Sequence, residues 1–348
     1  MNGSHGLTRP VPPTCTDKLL WDVWMSAYHF PALTVADEMG LFVLLDESYL
    51  TAGEVAARLS INHRGAEALL GLLSSLGFVE QYDGRFVLSE VARNYLLPKG
   101  YYYWGPMLRL YQDPPMGHKA LLEALVRDRR PDRERSTEEW AAGEMTRERA
   151  KELTAGMHSH SLPAATGVAR VGDFGGVQNL LDLGGGSGCF CIMLAHTYPR
   201  MRFTVLELPA VSEFTMSYVS EAGFEDRINV VSADMFKDPW PTGHDALLLS
   251  NILHDWDDDR CLWLGQRCFE TLPPGGLLYV HTMLLEDTKD DPLGTVGFSM
   301  NMVVRTEGKQ FSARNLKKLL STSGFSELSI MPTFGYFSLI KARKPPDN

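Results

Sequence analysis

The 348-residue sequence predicts two domains, a mainly helical N-terminal domain and a C-terminal α/β domain whose sheet is mostly parallel. The chain is longer than a single small core requires, which favours two domains. Apolar residues recur at helical spacing over the first third of the chain. From about residue 178 onward, short apolar segments alternate with helical patterns, which is typical of a parallel sheet covered on both faces.

The N-terminal domain, predicted over residues 14–125, combines helices with one hairpin. Thr51, with Glu54 three residues later, is typical of a helix start, because the two side chains can cap each other's backbone amides. A further helix is predicted over Ala66–Leu76. Asp83-Gly84, between two short β-prone runs, predicts a tight hairpin turn. Helix, helix and hairpin together make a winged-helix pattern.

A winged-helix pattern raises the hypothesis of a DNA-binding regulator. A helix that reads a DNA groove carries several basic or amide side chains, but Ala66–Leu76 contains no Lys or Arg. The formal net charge of −10 also disfavours binding to nucleic acid or to an anionic membrane. Because apolar residues surround most of this helix, we expect it to be buried, partly against a second copy of the chain. The expected partner is therefore another subunit in a homodimer.

Composition predicts an ordinary globular protein, with 44% hydrophobic and 22% charged residues. Its five cysteines form no CxxC pair, so we expect no metal site and a reducing, cytoplasmic setting. No apolar run approaches the ~20 residues needed to cross a bilayer, and the proline-containing N-terminal segment lacks the apolar core of a signal peptide. The charge-rich segment 126–175 is expected to form linker helices that border the active site.

The C-terminal α/β domain is predicted over residues 176–345. Its candidate strands are Leu180–Leu183, Phe203–Leu206, Ile228–Val231, Ala246–Ser250, Leu277–His281, Leu328–Met331 and Phe337–Lys341. Ligands in open sheets of this kind bind at the carboxyl ends of the parallel strands. We therefore expect the functional residues to follow directly after these strands.

A glycine turn after the first of these strands predicts a nucleotide-like ligand. Gly184–Gly188 follows an apolar strand and precedes a helix, so backbone amides can approach a bound group closely. Glu207, at the end of the next strand, is suited to hold the two hydroxyls of a ribose. These features predict an adenosine-containing cofactor.

Two classes of cofactor fit this pattern, S-adenosylmethionine and a dinucleotide. The turn does not form a clean GxGxxG, and no second glycine turn follows, which disfavours a dinucleotide. Asp234, after the third strand, is placed to accept a hydrogen bond from an adenine amino group. The pattern therefore favours S-adenosylmethionine, with a candidate binding set made of Asp182, the glycines of the turn, Glu207 and Asp234.

Further motifs give this set a family resemblance. Leu253-His254-Asp255-Trp256 matches a His-Asp-Trp signature, and Asn301–Val304 is followed by Thr306-Glu307-Gly308. With these motifs the chain resembles the class I S-adenosylmethionine-dependent small-molecule O-methyltransferases of the caffeate, isoflavone, bacterial polyketide-tailoring and acetylserotonin types. The resemblance spans nearly the whole chain. It implies a Rossmann-like class I methyltransferase domain, a helical winged-helix dimerisation domain, and S-adenosylmethionine as the cofactor.

The resemblance also implies which residues bind the cofactor. Glu207 would hold the ribose, Leu208 and Trp256 would flank the adenine, and Ser161 would bond the methionine carboxylate. The complete implied set is Met157, Ser161, Asp182, Gly184, Gly186, Glu207, Leu208, Asp234, Met235, Ser250 and Trp256.

His254 is the predicted general base. A phenol has a pKa of about 10, and a neutral imidazole can take up its proton as it attacks a methyl group. Members of the resembling family commonly place two acidic residues beside this histidine, but the corresponding positions here are His281 and Gln310. Asp255 is expected to support His254 instead, and all four are predicted to take part in catalysis.

The predicted acceptor is a small, flat aromatic compound. Residues expected to line its site are Tyr111, Met116, His160, Phe298, Asn301 and Met302. Aromatic and methionine side chains make an adaptable apolar lining for such a ligand. Two alternatives stay open: a C-, N- or S-methyltransferase of the same fold, and a winged-helix DNA-binding regulator that senses S-adenosylmethionine.

Overall fold

The computed structural model describes residues 14–112, 117–127 and 145–347. The chain divides into two compact units, Met1–Tyr103 and Trp104–Asn348. The first unit is mainly helical and the second is α/β, which confirms the predicted fold class. The domain limits predicted at 125, 175 and 345 stay predictions.

The first unit contains six α-helices and one hairpin among its described residues. These are α1 (Lys18–Met25), a short 3-10 helix (Ser26–Tyr28), α2 (His29–Glu38), α3 (Leu41–Glu47), α4 (Ala52–Leu59), α5 (His63–Ser75), β1 (Val79–Tyr82), β2 (Arg85–Leu88) and α6 (Glu90–Tyr95). The predicted order of helix, helix and hairpin is thus present from α4 to β2.

Local side-chain chemistry sets the ends of these elements. The Thr51 side chain accepts a hydrogen bond from the amide of Glu54 at 3.2 Å, and the Glu54 carboxylate accepts one from the amide of Thr51 at 2.8 Å. This capping box starts α4 as predicted. Asp83 and Gly84 have φ angles of 49° and 75°, the left-handed pair that a two-residue hairpin turn requires.

Helix α1 presents an apolar surface to solvent. It has no buried residue, and its exposed apolar side chains are Leu19, Leu20, Trp21, Val23 and Trp24. Helix α5, in contrast, buries Ala66, Leu70 and Leu73 inside the unit.

The second unit is built on one large sheet. Its strands are β3 (Asn179–Leu183), β4 (Arg202–Glu207), β5 (Ile228–Ser232), β6 (Ala246–Ser250), β7 (Leu277–Leu285), β8 (Phe311–Ser312), β9 (Ser326–Phe334) and β10 (Phe337–Arg343). They lie in the order β5-β4-β3-β6-β7-β10-β9, and β8 pairs with β7. Strands β3 to β8 pair in parallel, while β10 is antiparallel to both of its neighbours. All seven predicted strands are confirmed.

Helices accompany the sheet of the second unit. They are α7 (Gly105–Leu110), α8 (His118–Arg127), α9 (Arg147–Val171), α10 (Cys189–Thr197), α11 (Pro209–Glu221), a short 3-10 helix (Leu253–Asp255), α12 (Asp258–Thr271), α13 (Leu293–Arg305) and α14 (Ala313–Thr322). Over the described ranges, none of the helices combines the length and apolarity that crossing a bilayer demands.

The strand order places a crevice at the end of β3. From β3 the chain continues to β4 on one side, and it later returns to β6 on the other side. Such a reversal opens a space outside the carboxyl ends of the two central strands, where open α/β sheets bind their ligands.

Candidate active site

The glycine turn lies directly at this crevice. Gly184 and Gly186 have φ angles of 66° and 58°, a left-handed backbone that glycine adopts without strain. A Cβ on Gly185 would lie 2.5 Å from Oδ2 of Asp182, whereas a Cβ on Gly186 would meet no atom of the described residues within 4 Å. The turn therefore packs against Asp182 on one side and leaves open space beside Gly186.

Asp182 lies beneath the turn and is fully buried. Its Oδ2 accepts a hydrogen bond from the Cys191 thiol at 3.5 Å, and its Oδ1 has no hydrogen-bond partner among the described residues. Burial raises the pKa of Asp182 to about 7, and the nearby Glu207 carboxylate adds to this rise.

Glu207, the last residue of β4, is tied to the turn by backbone hydrogen bonds. Its Oε2 accepts from the amide of Gly186 at 2.7 Å, and its Oε1 accepts from the amide of Leu208 at 2.7 Å. Burial raises the pKa of Glu207, although both amides oppose the rise. Because each carboxylate oxygen has two lone pairs, both oxygens keep capacity for a ligand hydroxyl.

Asp234 and Trp256 lie farther along the same edge of the sheet. Asp234 accepts a hydrogen bond from the amide of Phe236 at 2.9 Å and pairs with the Lys237 ammonium at 3.0 Å. The buried ring of Trp256 meets Phe236 edge-on at 4.6 Å, and the Arg260 guanidinium lies 4.9 Å from the Trp256 ring centre. These groups form a partly aromatic wall of the cavity.

One cavity of about 350 Å³ connects these groups. The predicted cofactor residues that line it are Met157, Ser161, Gly184, Gly186, Glu207, Leu208, Asp234, Met235, Ser250 and Trp256. The predicted catalytic and acceptor residues that line it are Tyr111, His160, His254, Asp255, Phe298 and Met302. Four predicted residues do not line the cavity themselves, namely Asp182, His281, Asn301 and Gln310. Met116 lies outside the described residues.

A directed hydrogen-bond chain runs from the cavity wall into the sheet. Thr333 donates its hydroxyl proton to the carbonyl of Phe337 at 3.1 Å, so it accepts from Nε2 of His281 at 3.3 Å. Nδ1 of His281 is then an acceptor, and Ser250 on the cavity wall donates to it at 3.1 Å. His281 does not line the cavity, but its Nδ1 accepts the hydrogen bond of the Ser250 hydroxyl, so the Ser250 lone pairs stay free to face a ligand.

His254 lies in the short 3-10 helix just after β6, with its ring buried against the cavity. Its Nδ1 accepts a hydrogen bond from the side-chain amide of Gln310 at 3.2 Å. Its Nε2 lies 3.6 Å from Oδ1 of Asp255, which is too long for a good hydrogen bond. Gln310 therefore makes the closer side-chain contact with the ring and orients it. The Phe298 ring meets the His254 ring edge-on, with 5.3 Å between the ring centres.

Comparison with known proteins identifies the family. Residues 120–326 match the model of an O-methyltransferase domain, and residues 21–98 match an O-methyltransferase dimerisation domain. The chain belongs to the O-methyltransferase family. It is 35% identical over 333 residues to a 3-hydroxy-5-methyl-1-naphthoate 3-O-methyltransferase of Streptomyces sahachiroi, covering 94% of each chain.

Two further comparisons concern acetylserotonin O-methyltransferases. The chicken (Gallus gallus) enzyme is 30% identical over 323 residues, covering 89% of this chain and 92% of that one. The crystal structure of human N-acetylserotonin methyltransferase in complex with SAM superposes with a TM-score of 0.81 at 27% identity, covering 96% of this chain and all of that one.

S-adenosylmethionine is the methyl donor of this O-methyltransferase, and the dinucleotide alternative is set aside. The residues present fit the cofactor. Gly186 leaves open space at the turn, and Glu207 retains unused lone pairs beside it. Asp234 and Trp256 supply an acceptor and an aromatic wall on the same cavity.

Two histidines of the O-methyltransferase cavity are uncharged at neutral pH. Burial, and secondly the nearby His160, lower the pKa of His254 to about 3. Burial likewise lowers the pKa of His160 to about 4. The His160 ring meets Trp104 and Phe337 edge-on at 5.7 and 5.9 Å. This part of the cavity lining is therefore largely apolar and carries neutral imidazoles.

The structure adds two residues that hold the glycine turn and that the sequence did not indicate. His158 Nδ1 lies 2.8 Å from the Ser187 hydroxyl, with its ring stacked on Tyr218 at 4.1 Å. Thr215 donates to the carbonyl of Gly186 at 2.6 Å. His158 and Thr215 each lie 29 residues from the turn residue they contact, so no local pattern could have revealed them.

Proposed function

We propose that this enzyme methylates a hydroxyl group of a small aromatic compound, with His254 as the general base. The observation that carries the proposal is that the His254 ring lines the same cavity as the glycine turn and Glu207. Phe298 and Met302 line the cavity with apolar side chains suited to a flat ring. Two relatives are named for hydroxyl acceptors of this kind, a hydroxynaphthoate and acetylserotonin.

Different residues of the chain would bind different parts of the cofactor. When bound, S-adenosylmethionine supplies an electrophilic methyl group on a sulfonium centre. Glu207 would hold the ribose hydroxyls, and Asp234 would accept from the adenine amino group. Ser161 would donate to the methionine carboxylate, and Ser250, whose hydroxyl donates to His281, would accept from a donor group of the cofactor.

Proton removal by His254 requires a free lone pair on Nε2. In the arrangement described above, Gln310 donates to Nδ1, so the proton of the neutral ring is on Nε2. The Oε1 atom of Gln310 has no hydrogen-bond partner in the described part of the chain. If the Gln310 amide flips by about 180°, its Oε1 accepts a hydrogen bond from a protonated Nδ1 of His254. The Nε2 lone pair of His254 then becomes free.

The low pKa of His254 determines when the proton moves. A phenol has a pKa of about 10, so a base with a pKa of about 3 does not ionise it before attack. The phenol proton becomes more acidic as its oxygen gives up electron density to the new bond. We therefore propose that His254 takes up the proton as the methyl group is transferred.

Replacing His254 tests the base role. We expect His254→Ala to lower kcat on a phenolic acceptor by about 10²–10⁴-fold, the usual contribution of general base catalysis. Its affinity for S-adenosylhomocysteine, measured by calorimetry, should stay near wild type. A loss of less than tenfold would instead favour methylation driven by proximity alone, as for a C-, N- or S-nucleophile that needs no base.

We also propose that the enzyme works as a homodimer in the reducing cytoplasm. The match to a dimerisation domain and the exposed apolar side chains of α1 support a second copy as the partner. The cysteines of the described residues are free thiols, which supports a reducing compartment.

A further inference from the structure

Among the residues that the structure describes, seven side chains that carry formal charge line the cavity, and most of them have a partner. They are Arg149, Glu207, Asp234, Lys237, Asp255, Arg260 and Arg305. Asp234 pairs with Lys237 at 3.0 Å, and Arg260 pairs with Glu307 at 3.2 Å. Glu207 accepts two backbone amides, and Asp255 lies beside His254. Within the described ranges, Arg149 and Arg305 remain without a carboxylate partner.

Arg305 is held by two contacts, although no carboxylate of the described residues neutralises its charge. Its Nε donates to the side-chain oxygen of Asn301 at 3.1 Å, and its guanidinium lies over the Tyr111 ring at 4.5 Å from the ring centre. Neither contact supplies a negative charge. No residue of the described chain accepts from the two terminal nitrogens, Nη1 and Nη2, so these two donors are available to a ligand.

The position of Arg305 relates it to the reactive end of the cavity. Phe298, Met302 and Arg305 line the cavity from one face of α13, as helical spacing dictates. Residues 298 and 305 are about 10 Å apart along the helix axis. Phe298 contacts His254, and Arg305 lines the same cavity from this helix face, so an acceptor whose hydroxyl meets His254 can also reach Arg305.

We propose that Arg305 binds a carboxylate on the aromatic acceptor, so that the enzyme selects hydroxyaryl carboxylic acids over neutral phenols. A guanidinium stays charged at all physiological pH values, and a carboxylate would supply the negative charge that neither Asn301 nor Tyr111 provides. Its paired terminal N–H groups match the two oxygens of a carboxylate. This assignment rests on the proposed hydroxyl methylation and deepens it.

The test compares matched acceptors and matched arginine variants. The acceptors are a hydroxynaphthoic acid whose hydroxyl and carboxyl groups lie on different rings, and its methyl ester. The variants are Arg305→Gln, Arg305→Lys and Arg149→Gln, with Arg147→Gln as the control because Arg147 is exposed, pairs with Glu213 and does not line the cavity. The readouts are kcat and KM for each acceptor.

Wild-type enzyme should prefer the acid by at least tenfold in kcat/KM, mainly through KM. Hydrogen bonds to a charged group are worth roughly 10- to 150-fold in affinity. Arg305→Gln should remove this preference by raising KM for the acid alone, and Arg305→Lys should keep part of the preference. Arg147→Gln should leave kcat and KM unchanged for both acceptors.

Three results would overturn the assignment. The first is a higher wild-type kcat/KM for the ester than for the acid. The second is an equal loss of kcat/KM for both acceptors in Arg305→Gln. The third is loss of the acid preference in Arg149→Gln rather than in Arg305→Gln. If neither acceptor is methylated, calorimetry of the acid with enzyme saturated with S-adenosylhomocysteine decides the question. Binding that Arg305→Gln abolishes supports the carboxylate site even though hydroxyl methylation then fails, and binding that is absent or unchanged by this variant contradicts the site.

Discussion

Gln310 donates a hydrogen bond to Nδ1 of His254 across 3.2 Å, from a position where a carboxylate was expected. A carboxylate there accepts only, so it would require a proton on Nδ1 and leave Nε2 free. An amide carries both a donor and an acceptor and can serve either tautomer. The neutral partner also leaves the pKa of His254 at about 3, because no negative charge opposes the effect of burial.

Substitutions at Gln310 test this relationship through the pH dependence of turnover. Since the pKa of His254 is about 3, wild-type kcat should show no decline from this residue between about pH 9 and 5. Gln310→Glu should raise the pKa of His254, so kcat should fall as pH drops through the new value and the ring becomes charged. Gln310→Leu should lower kcat about tenfold or more at every pH, with little change in cofactor affinity. A flat profile for Gln310→Glu would contradict the assigned contact.

The sequence predicts those parts of the site whose pattern is local. Strand β3 with its glycine turn, and the acidic residues Glu207 and Asp234 after the next two strands, follow from apolar runs and their ends. Partners that meet only through tertiary packing carry no such pattern. His254 and Gln310 are 56 residues apart in sequence, and His281 and Thr333 are 52 apart.

Some predicted site residues lie behind the cavity lining rather than in it. His281 was predicted to take part in catalysis beside His254. It does not line the cavity, and it is connected to it by a hydrogen bond with the cavity-lining Ser250. Asn301 was predicted to bind the acceptor, and it holds the Arg305 guanidinium. Arg305 itself could have been found from the sequence, since it follows Phe298 and Met302 at helical spacing on the same helix face.

Burial of His281 should make stability depend on pH. Burial, and secondly His160, lower the pKa of His281 to about 3 in the folded chain, while an unfolded histidine titrates near 6.5. Between these values the unfolded chain binds the additional proton, so stability falls as pH falls. The stability difference between wild type and His281→Gln should therefore shrink by about 2 kcal/mol between about pH 7.5 and 5.

Urea unfolding of both proteins at several pH values measures this difference. A difference that stays constant over this range, or grows at lower pH, would show that His281 is not buried as a neutral ring. A change in the slope of the unfolding free energy with urea would mark an altered unfolded state and would have to be corrected for.

Gly185 is a position where a single methyl group should weaken cofactor binding by displacing the glycine turn. A Cβ there would lie 2.5 Å from Oδ2 of Asp182 and 2.9 Å from Cγ1 of Val205, so the turn would have to move. We expect Gly185→Ala to weaken S-adenosylhomocysteine binding at least tenfold, measured by calorimetry, and to lower stability by about 1–3 kcal/mol. Gly117→Ala is the control, since a Cβ at Gly117 meets no atom of the described residues within 4 Å. Wild-type affinity in Gly185→Ala would be inconsistent with the close packing at the turn.

The apolar surface of α1 gives the last prediction, which concerns assembly. Trp21 and Trp24, whose rings lie 5.2 Å apart, are 51% and 63% exposed on a helix without a buried residue. A contiguous apolar surface of this kind marks a contact with another chain. If a second copy covers it, Trp21→Ser combined with Trp24→Ser should convert a dimer into a monomer, because the substitution removes most of the aromatic area that the contact would bury.

Light scattering coupled to gel filtration measures the mass of this double variant. Leu293→Ser is the matched control, since Leu293 is 84% exposed but belongs to the second unit, outside the matched dimerisation domain. The control should stay a dimer, and both proteins should keep the wild-type far-UV circular dichroism. A double variant that remains dimeric at micromolar concentration would place the subunit contact elsewhere on the dimerisation domain, because the loss of two buried aromatic side chains would be too large for the interface to absorb.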